Sequence, residues 1–351
     1  MEGKKLAMAS CVIGLVLIFA SVPCMAVRAE SAPKPIVLKF ADMLAKTSLM
    51  SRAATWWGEE LEKRSAGRVK VEYFFSASLV KAKDQMKAVG DGLIQLTNYY
   101  CGYDPAKAPH FTIATLPGAP TENYYIAIMA ADKVYEHPGA KEELKRNNVQ
   151  YLCPNGPGYN FLITKTAVKE IKDLKGVKIR AWGDFAKAVK IWGAVPVTMS
   201  APEVYTGLER GTVDGSHNSL TTMTGNRLYE VAKHVTIYPT LGINAAVPFV
   251  MNLDSWNSLP KDIQNIIEQL NKERPKKQAE MAKNLDEKSI DEMKKAGIEF
   301  HRFSAEEAAR AKDMLKPLWQ DWVDKMESRG VKGKEIRDLF LSEIERLEKS
   351  K

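Results

Sequence analysis

Alternating apolar and polar side chains predict strands over Ile36–Ala41 and Val69–Phe74, both rich in Val, Ile and aromatic residues. Between them, Ala54, Trp57 and Leu61 recur at helical spacing within Ser51–Arg64, and Gly67 stands where a helix ends. Lys83–Val89 reads as a second helix, stopped by Gly90 and Gly92, and Leu93–Thr97 as a short strand. This β-α-β-α-β order predicts a layered α/β domain. A second α/β unit follows, with strands at Val149–Leu152, Asn160–Thr164, Lys178–Arg180 and Val195–Val197 and helices at Asp184–Trp192 and Ala201–Glu209. Ala245–Asn252 is an apolar strand candidate. Pro260 opens a long helix that continues towards Lys295, with a bend expected near Pro275. Ser304-Ala305-Glu306-Glu307 is a capping box, starting a helix that carries Leu315, Leu318, Trp319 and Trp322. A last helix covers roughly Lys334–Lys349. No repeat and no low-complexity linker separates the two units, which leaves room for the chain to cross between them more than once.

The first residues follow a different pattern. Met1–Lys5 carries two lysines, Leu6–Val22 has no charge, and Val27-Arg28-Ala29 sets small residues at the positions a signal peptidase reads. Residues 1–29 are therefore expected to be a cleaved signal peptide rather than an anchor, and Pro23 interrupts the apolar run near its end. Cys24 follows that proline, not the small residue that lipidation requires. The formal charge is +8. Losing Lys4, Lys5, Arg28 and Glu2 removes two units and leaves +6, spread among Glu and Asp on helical stretches such as Lys261–Lys295. That distribution describes solvated helix faces and excludes a nucleic-acid surface. Cys101 and Cys153 remain after processing and read as buried thiols, although the periplasm permits a disulfide. With 351 residues, two domains are expected.

Catalytic signatures are missing. The sequence has no Gly-x-Ser-x-Gly elbow, no His-Glu-x-x-His, no Cys-x-x-Cys and no phosphate-cradling glycine loop. The five histidines (His110, His137, His217, His234, His301) are dispersed, with no metal-ligand spacing. No catalytic residue, metal or cofactor is expected.

One constellation stands out. Asp173-Leu174-Lys175-Gly176-Val177-Lys178-Ile179-Arg180 sets an arginine at the end of a short strand, before Ala181-Trp182-Gly183. Then come Glu203-Val204-Tyr205-Thr206-Gly207-Leu208-Glu209-Arg210-Gly211-Thr212-Val213-Asp214-Gly215 and Asn218. These stretches are similar to the hallmark region of the DctP-family solute-binding proteins of TRAP (tripartite ATP-independent periplasmic) transporters. Ser65–Glu72, Leu79, Gly90–Thr97 and Trp256–Pro260 extend the likeness in order along most of the chain. The resemblance implies an α/β, two-domain periplasmic binding protein fold with a central ligand cleft and a long domain-spanning helix. The expected division is 30–157 plus about 244–285, then 158–243 plus about 286–330, with 331–351 as a C-terminal helix. It further implies a monomer in the periplasm that closes on a small organic anion and passes it to the membrane permease. A periplasmic enzyme acting on a small acid, and a binding protein feeding a sensor, are the alternatives.

Within that resemblance Arg180 grips a carboxylate, a role suited to the planar guanidinium fork, and Asn218 adds an amide. Many family members have a second cleft arginine where this chain has Asn160 or Tyr159. A monocarboxylate is therefore expected over a dicarboxylate, although a sulfonate or zwitterion would also present an anion to Arg180. Ala201 stands where a bulky aromatic is common, and His217 where an acid is common. Tyr99, Tyr100 and Trp182, at strand ends, are candidates to cover the ligand body, ahead of Trp56, Trp57 and Tyr103. Thr47, with Asp42 and Ser48, follows the first strand as a polar contact or a helix cap.

Overall fold

Val- and aromatic-rich segments separated by amphipathic helices can bury their apolar faces only by stacking in layers. The computed structural model describes residues 34–237, the backbone of 243–244, and 247–350. The expected signal peptide and Ala245 lie outside the described residues. In the first part of the chain β1 (Ile36–Ala41), α1 (Leu49–Arg64), β2 (Val69–Phe74), α2 (Gln85–Gly90) and β3 (Leu96–Asn98) follow one another. After α3 (Tyr124–Tyr135) and α4 (Pro138–Arg146) come β4 (Val149–Cys153) and β5 (Gly158–Thr164). The next run is β6 (Lys178–Arg180), α5 (Asp184–Ile191), β7 (Val195–Val197), α6 (Val204–Glu209), β8 (Gly215–Ser219), α7 (Leu220–Gly225) and β9 (His234–Ile237). The remainder is β10 (Ile243–Asn244), β11 (Phe249–Asn252), α8 (Leu253–Ser258), α9 (Lys261–Lys295), β12 (Glu299–Arg302), α10 (Ala305–Asp313), α11 (Lys316–Glu327) and α12 (Gly333–Lys349).

The strands form two sheets, ordered β2-β1-β3-β11-β4 and β12-β9-β5-β8-β6-β7. Each sheet is parallel apart from one strand. In the first sheet β11 runs antiparallel to β3 and β4. In the second β5 runs antiparallel to β8 and β9. These two strands carry the crossings: β5 enters the second sheet directly after β4 of the first, and β11 returns to the first after β9 of the second. β10 pairs with the start of β5, Ile243 opposite Tyr159, so the two crossings are hydrogen-bonded to each other. Each sheet with its helices is called a lobe below.

α9 ties the lobes together. Its 35 residues extend roughly 50 Å at 1.5 Å per residue. Ile263, Ile267 and Leu270 enter the first lobe's core with Leu38, Phe40, Trp57 and Leu96. Met293 enters the second lobe's core with Ile163, Val213 and Val235. Pro275 sits inside the helix, as read from the sequence. Among the described residues no helix is long and apolar enough to cross a membrane.

Several local expectations change. The helix expected from Ser304 through Trp322 is two, α10 and α11, because Pro317 occupies the first turn of a new helix and its ring cannot continue the old one. Ser304 does cap α10, accepting from the Glu307 N–H at 3.1 Å. The last strand of the first sheet is shorter than Ala245–Asn252, beginning at Phe249, and β3 is shifted to Leu96–Asn98. α3 and α4 had no counterpart in the sequence reading, although Asn123 and His137 cap them and Pro138 opens the second.

One half-buried acid on α9 has a measurable consequence. Burial pushes the Asp286 carboxyl up to about 7, against about 3.9 in an unfolded chain. The folded state therefore keeps a proton that the unfolded state releases, and the associated stability, present below about pH 4, is lost as pH rises through about 7. Asp286→Asn is expected to raise the melting temperature at pH 8 and to leave it nearly unchanged at pH 4. Equal shifts at both pH values would contradict the assignment.

Candidate functional site

The carboxyl ends of parallel strands are where an α/β sheet leaves a crevice. Here β1 and β3 of the first lobe end just before Asp42 and Tyr99, and β6 and β8 of the second end at Arg180 and Ser219. Arg180 is the central group. It is 1% exposed. Its Nε donates to Met199 O at 3.0 Å, and one Nη donates to His217 O and to Asn218 Oδ1, both at 3.2 Å. The other Nη donates to the Tyr103 hydroxyl at 2.8 Å. Four of the five N–H donors of a guanidinium thus meet neutral acceptors, and among the described residues no carboxylate forms an ion pair with it.

Strand geometry explains the grouping. Arg180 pairs with Ser216 on β8, and residues two apart on a strand share a face. Arg180, Ser216 and Asn218 therefore project together, and Asn218 Nδ2 donates to Ser216 Oγ at 2.6 Å. Asn160, opposite Ser219, falls on the other face with Leu162 and His217. Its amide donates to Gly158 O at 3.4 Å. Tyr159 donates its hydroxyl to Glu122 O and accepts from the Tyr124 N–H at 3.3 Å, so it ties β5 to the start of α3.

His217 completes the electrostatics. It is 0% exposed, its ring stacks on Phe185 at 4.2 Å, and neither ring nitrogen has a hydrogen-bond partner. Burial first, and the Arg180 charge second, push it down to about 3. A neutral imidazole thus stands in this position and supplies no negative charge to Arg180. Glu203 accepts from the Ser200 N–H and hydroxyl at 2.7 and 2.6 Å, and these bonds first, with the Arg180 charge a lesser cause, lower its carboxyl.

From the first lobe, Tyr103 lies flat on Trp182, with ring centroids 5.3 Å apart and planes 3° from parallel. Gly102 makes this possible, because a Cβ there would overlap the Trp182 indole. Beside the stack is a hollow of about 480 Å³ lined by Met43, Ala77, Lys81, Tyr103, Met199 and Pro202 among others. Tyr99 and Tyr100 are buried and occupied: Tyr99 donates to Asp104 O at 3.0 Å and Tyr100 to Asp42 Oδ1 at 2.7 Å. Thr47 is not brought to Arg180. It is exposed and lines a separate hollow with Trp56, Met281 and Leu285, while Ser48 caps α1, accepting from the Ser51 N–H. Trp57 is core.

The sequence reading missed a second buried cation. Arg274 on α9 is 0% exposed and sits 4.1 Å over the Phe249 ring. It donates to Asn98 Oδ1 and to Cys153 Sγ, each at 3.4 Å. Asn98 in turn donates to Asp42 Oδ2 at 2.6 Å, so an amide links the arginine to a buried acid. Burial raises the Asp42 carboxyl despite donors from Leu44 N–H, Tyr100, Asn98 and Ser51. Ile263, Ile267, Leu270, Arg274 and Gln278 are all buried and recur at helical spacing. That stripe was the signal that Arg274 faces inward.

A chain with this architecture has relatives. The family model for bacterial extracellular solute-binding protein, family 7 (DctP), matches residues 40–326. The C4-dicarboxylate-binding periplasmic protein DctP of Rhodobacter capsulatus is 27% identical over 317 residues, 88% of this chain and 93% of that one. A TRAP periplasmic solute binding protein from Desulfovibrio salexigens superimposes with a TM-score of 0.73 at 26% identity, covering 89% of this chain and 95% of that one. A TRAP solute binding protein from Rhodoferax ferrireducens shares the fold with a TM-score of 0.82 at 23% identity, covering 90% and 99%. The chain belongs to the DctP family of extracellular solute-binding proteins, whose members bind small organic acids and deliver them to TRAP permeases.

Proposed function

We propose that this chain captures a small monocarboxylate with an apolar or aromatic body, with Arg180 as the anchor. The observation that carries this reading is a fully buried guanidinium whose acceptors are all neutral. A buried charge left without a counter-charge is costly, and a ligand carboxylate supplies one. Charge-assisted bonds are roughly twice as strong as neutral ones. A carboxylate arriving at the outer Nη is therefore favoured over the Tyr103 hydroxyl that now occupies it. Asn218, already on Arg180, holds the guanidinium in place and offers its amide. Tyr103, Trp182, Met43 and Met199 provide the apolar walls.

Proteins of like fold bind benzoate, 3-hydroxybenzoate, succinate and L-malate. These ligands have a carboxylate in common, so the preference for one carboxylate over two rests on this chain's own residues. Asn160 and Tyr159 stand where a second cleft arginine would be, and His217 is neutral. The periplasmic site of action rests on the signal-peptide pattern of residues 1–29.

A thermal-shift panel of aromatic and aliphatic monocarboxylates, succinate, L-malate and sugar acids tests the ligand class. Monocarboxylates are expected to stabilise the protein most, and a response confined to dicarboxylates would overturn the reading. With the best panel acid, calorimetric titration of Arg180→Ala should show binding weakened roughly 30-fold or more, since truncating one side of a buried charge pair costs about 2–5 kcal/mol. Arg180→Lys should not restore it fully, because an ammonium lacks the fork.

The inter-lobe contact has its own test. A Cβ at Gly102 forces Trp182 away from Tyr103 and props the lobes apart. Overpacking of this kind costs about 1–3 kcal/mol, so Gly102→Ala should weaken binding about tenfold. Small-angle scattering should show contraction of the wild type on binding and less contraction in Gly102→Ala. Equal affinity and equal contraction would show that the stack plays no part in closure.

A further inference from the structure

Two histidines that are dispersed in the sequence meet in the fold. β12 pairs in parallel with β9, with Glu299 opposite His234 and His301 opposite Thr236. Residues two apart on a strand share a face, so His234, Glu299 and His301 project together. His234 Nδ1 lies 3.1 Å from His301 Nε2. Glu299 Oε2 lies 3.6 Å from the first nitrogen and 3.8 Å from the second. These separations bracket the roughly 3.3 Å edge of a tetrahedron whose bonds are about 2.0–2.1 Å, the lengths of zinc–imidazole and zinc–carboxylate contacts.

The surroundings suit coordination. The imidazoles are 19% and 10% exposed, held between paired strands, whereas the Glu299 side chain is 67% exposed and able to swing onto a cation. Lys169 lies close enough for its charge to act on His301. The Lys169 charge opposes a cation, and the Glu299 carboxylate offsets it. Two imidazoles and one carboxylate select a borderline transition cation over calcium or magnesium, which prefer oxygen donors.

We propose that His234, His301 and Glu299 form a binding site for a divalent transition cation of the zinc type, on the outer edge of the second lobe and separate from Arg180. Three protein donors leave one tetrahedral position for water. β12 is the edge strand of its sheet and follows directly from α9. A cation shared by β9 and β12 therefore fastens the end of the inter-lobe helix to the sheet that carries Arg180.

The test uses untagged mature protein stripped with a chelator. Calorimetric titration with zinc chloride should show one equivalent bound with an affinity on the order of micromolar or tighter, with a rise in melting temperature. Cobalt(II) added instead should develop the intense visible bands of a tetrahedral ion. His234→Gln and His301→Gln should each weaken zinc binding on the order of 100-fold, and Glu299→Gln about tenfold. Glu299 is exposed, so its variant should melt like the wild type in the absence of metal, which separates lost coordination from lost folding. Absence of saturable zinc binding, or binding unchanged in all three variants, would overturn the site and leave a hydrogen-bonded imidazole pair.

Discussion

A guanidinium taken out of water loses several kcal/mol of hydration that only an opposing charge and good hydrogen bonds restore, and Arg180 is held in that condition. Its position is over-determined: Met199 O, His217 O and Asn218 Oδ1 fix three sides of the fork. The fourth contact is different in kind, because it comes from the other lobe. Tyr103 bridges the cleft by accepting from Arg180 and by stacking on Trp182. Whatever replaces the Tyr103 hydroxyl must therefore act on both lobes at once. On the proposed reading of Arg180, this contact would couple charge recognition to closure of the lobes.

The rest of the fold serves that geometry. Two antiparallel strands, β5 and β11, carry the chain between sheets, and β10 pairs the crossings. α9 is embedded in both cores and is locked to the first lobe by Arg274, Asn98 and Asp42. The two buried arginines thus differ in their circumstances. Arg274 is linked through one amide to a buried acid and lies over an aromatic ring. Arg180 has neither, with a neutral His217 behind it. Arg274 also keeps a buried Nε without a hydrogen-bond partner, so what separates the two is position: Arg180 ends a strand of the second lobe and is met there by Tyr103 of the first.

The α/β class and the long helix were legible in the sequence because each depends on local pattern, whereas β8, β9 and β12 were not read as strands. Alternation marked β1 and β2, and the resemblance carried by Asp173 through Arg180 drew attention to Arg180, which the fold buries. What the sequence did not show is what distant segments do together. Tyr103 reaches Arg180 across 77 positions. Asn160 appears beside Asn218 in the pairing, yet strand alternation turns it to the opposite face. Thr47 follows β1, yet its hydroxyl lies beside Gly225 of α7 and its hollow is a separate one. His234 and His301 are 67 positions apart and meet only through parallel pairing. Pro317 splits the helix that the apolar rhythm of Leu315, Leu318 and Trp322 would otherwise continue.

The most direct measurement is a crystal structure of the chain with the acid it retains through purification, or with the best acid from a screen. A carboxylate oxygen is expected within about 3 Å of the outer Nη of Arg180, with Tyr103 displaced from it and the apolar body between Trp182 and Met199. An acid bound elsewhere, with Arg180 still donating only to Tyr103, Met199, His217 and Asn218, would contradict the claim that this buried charge exists to be met by a ligand.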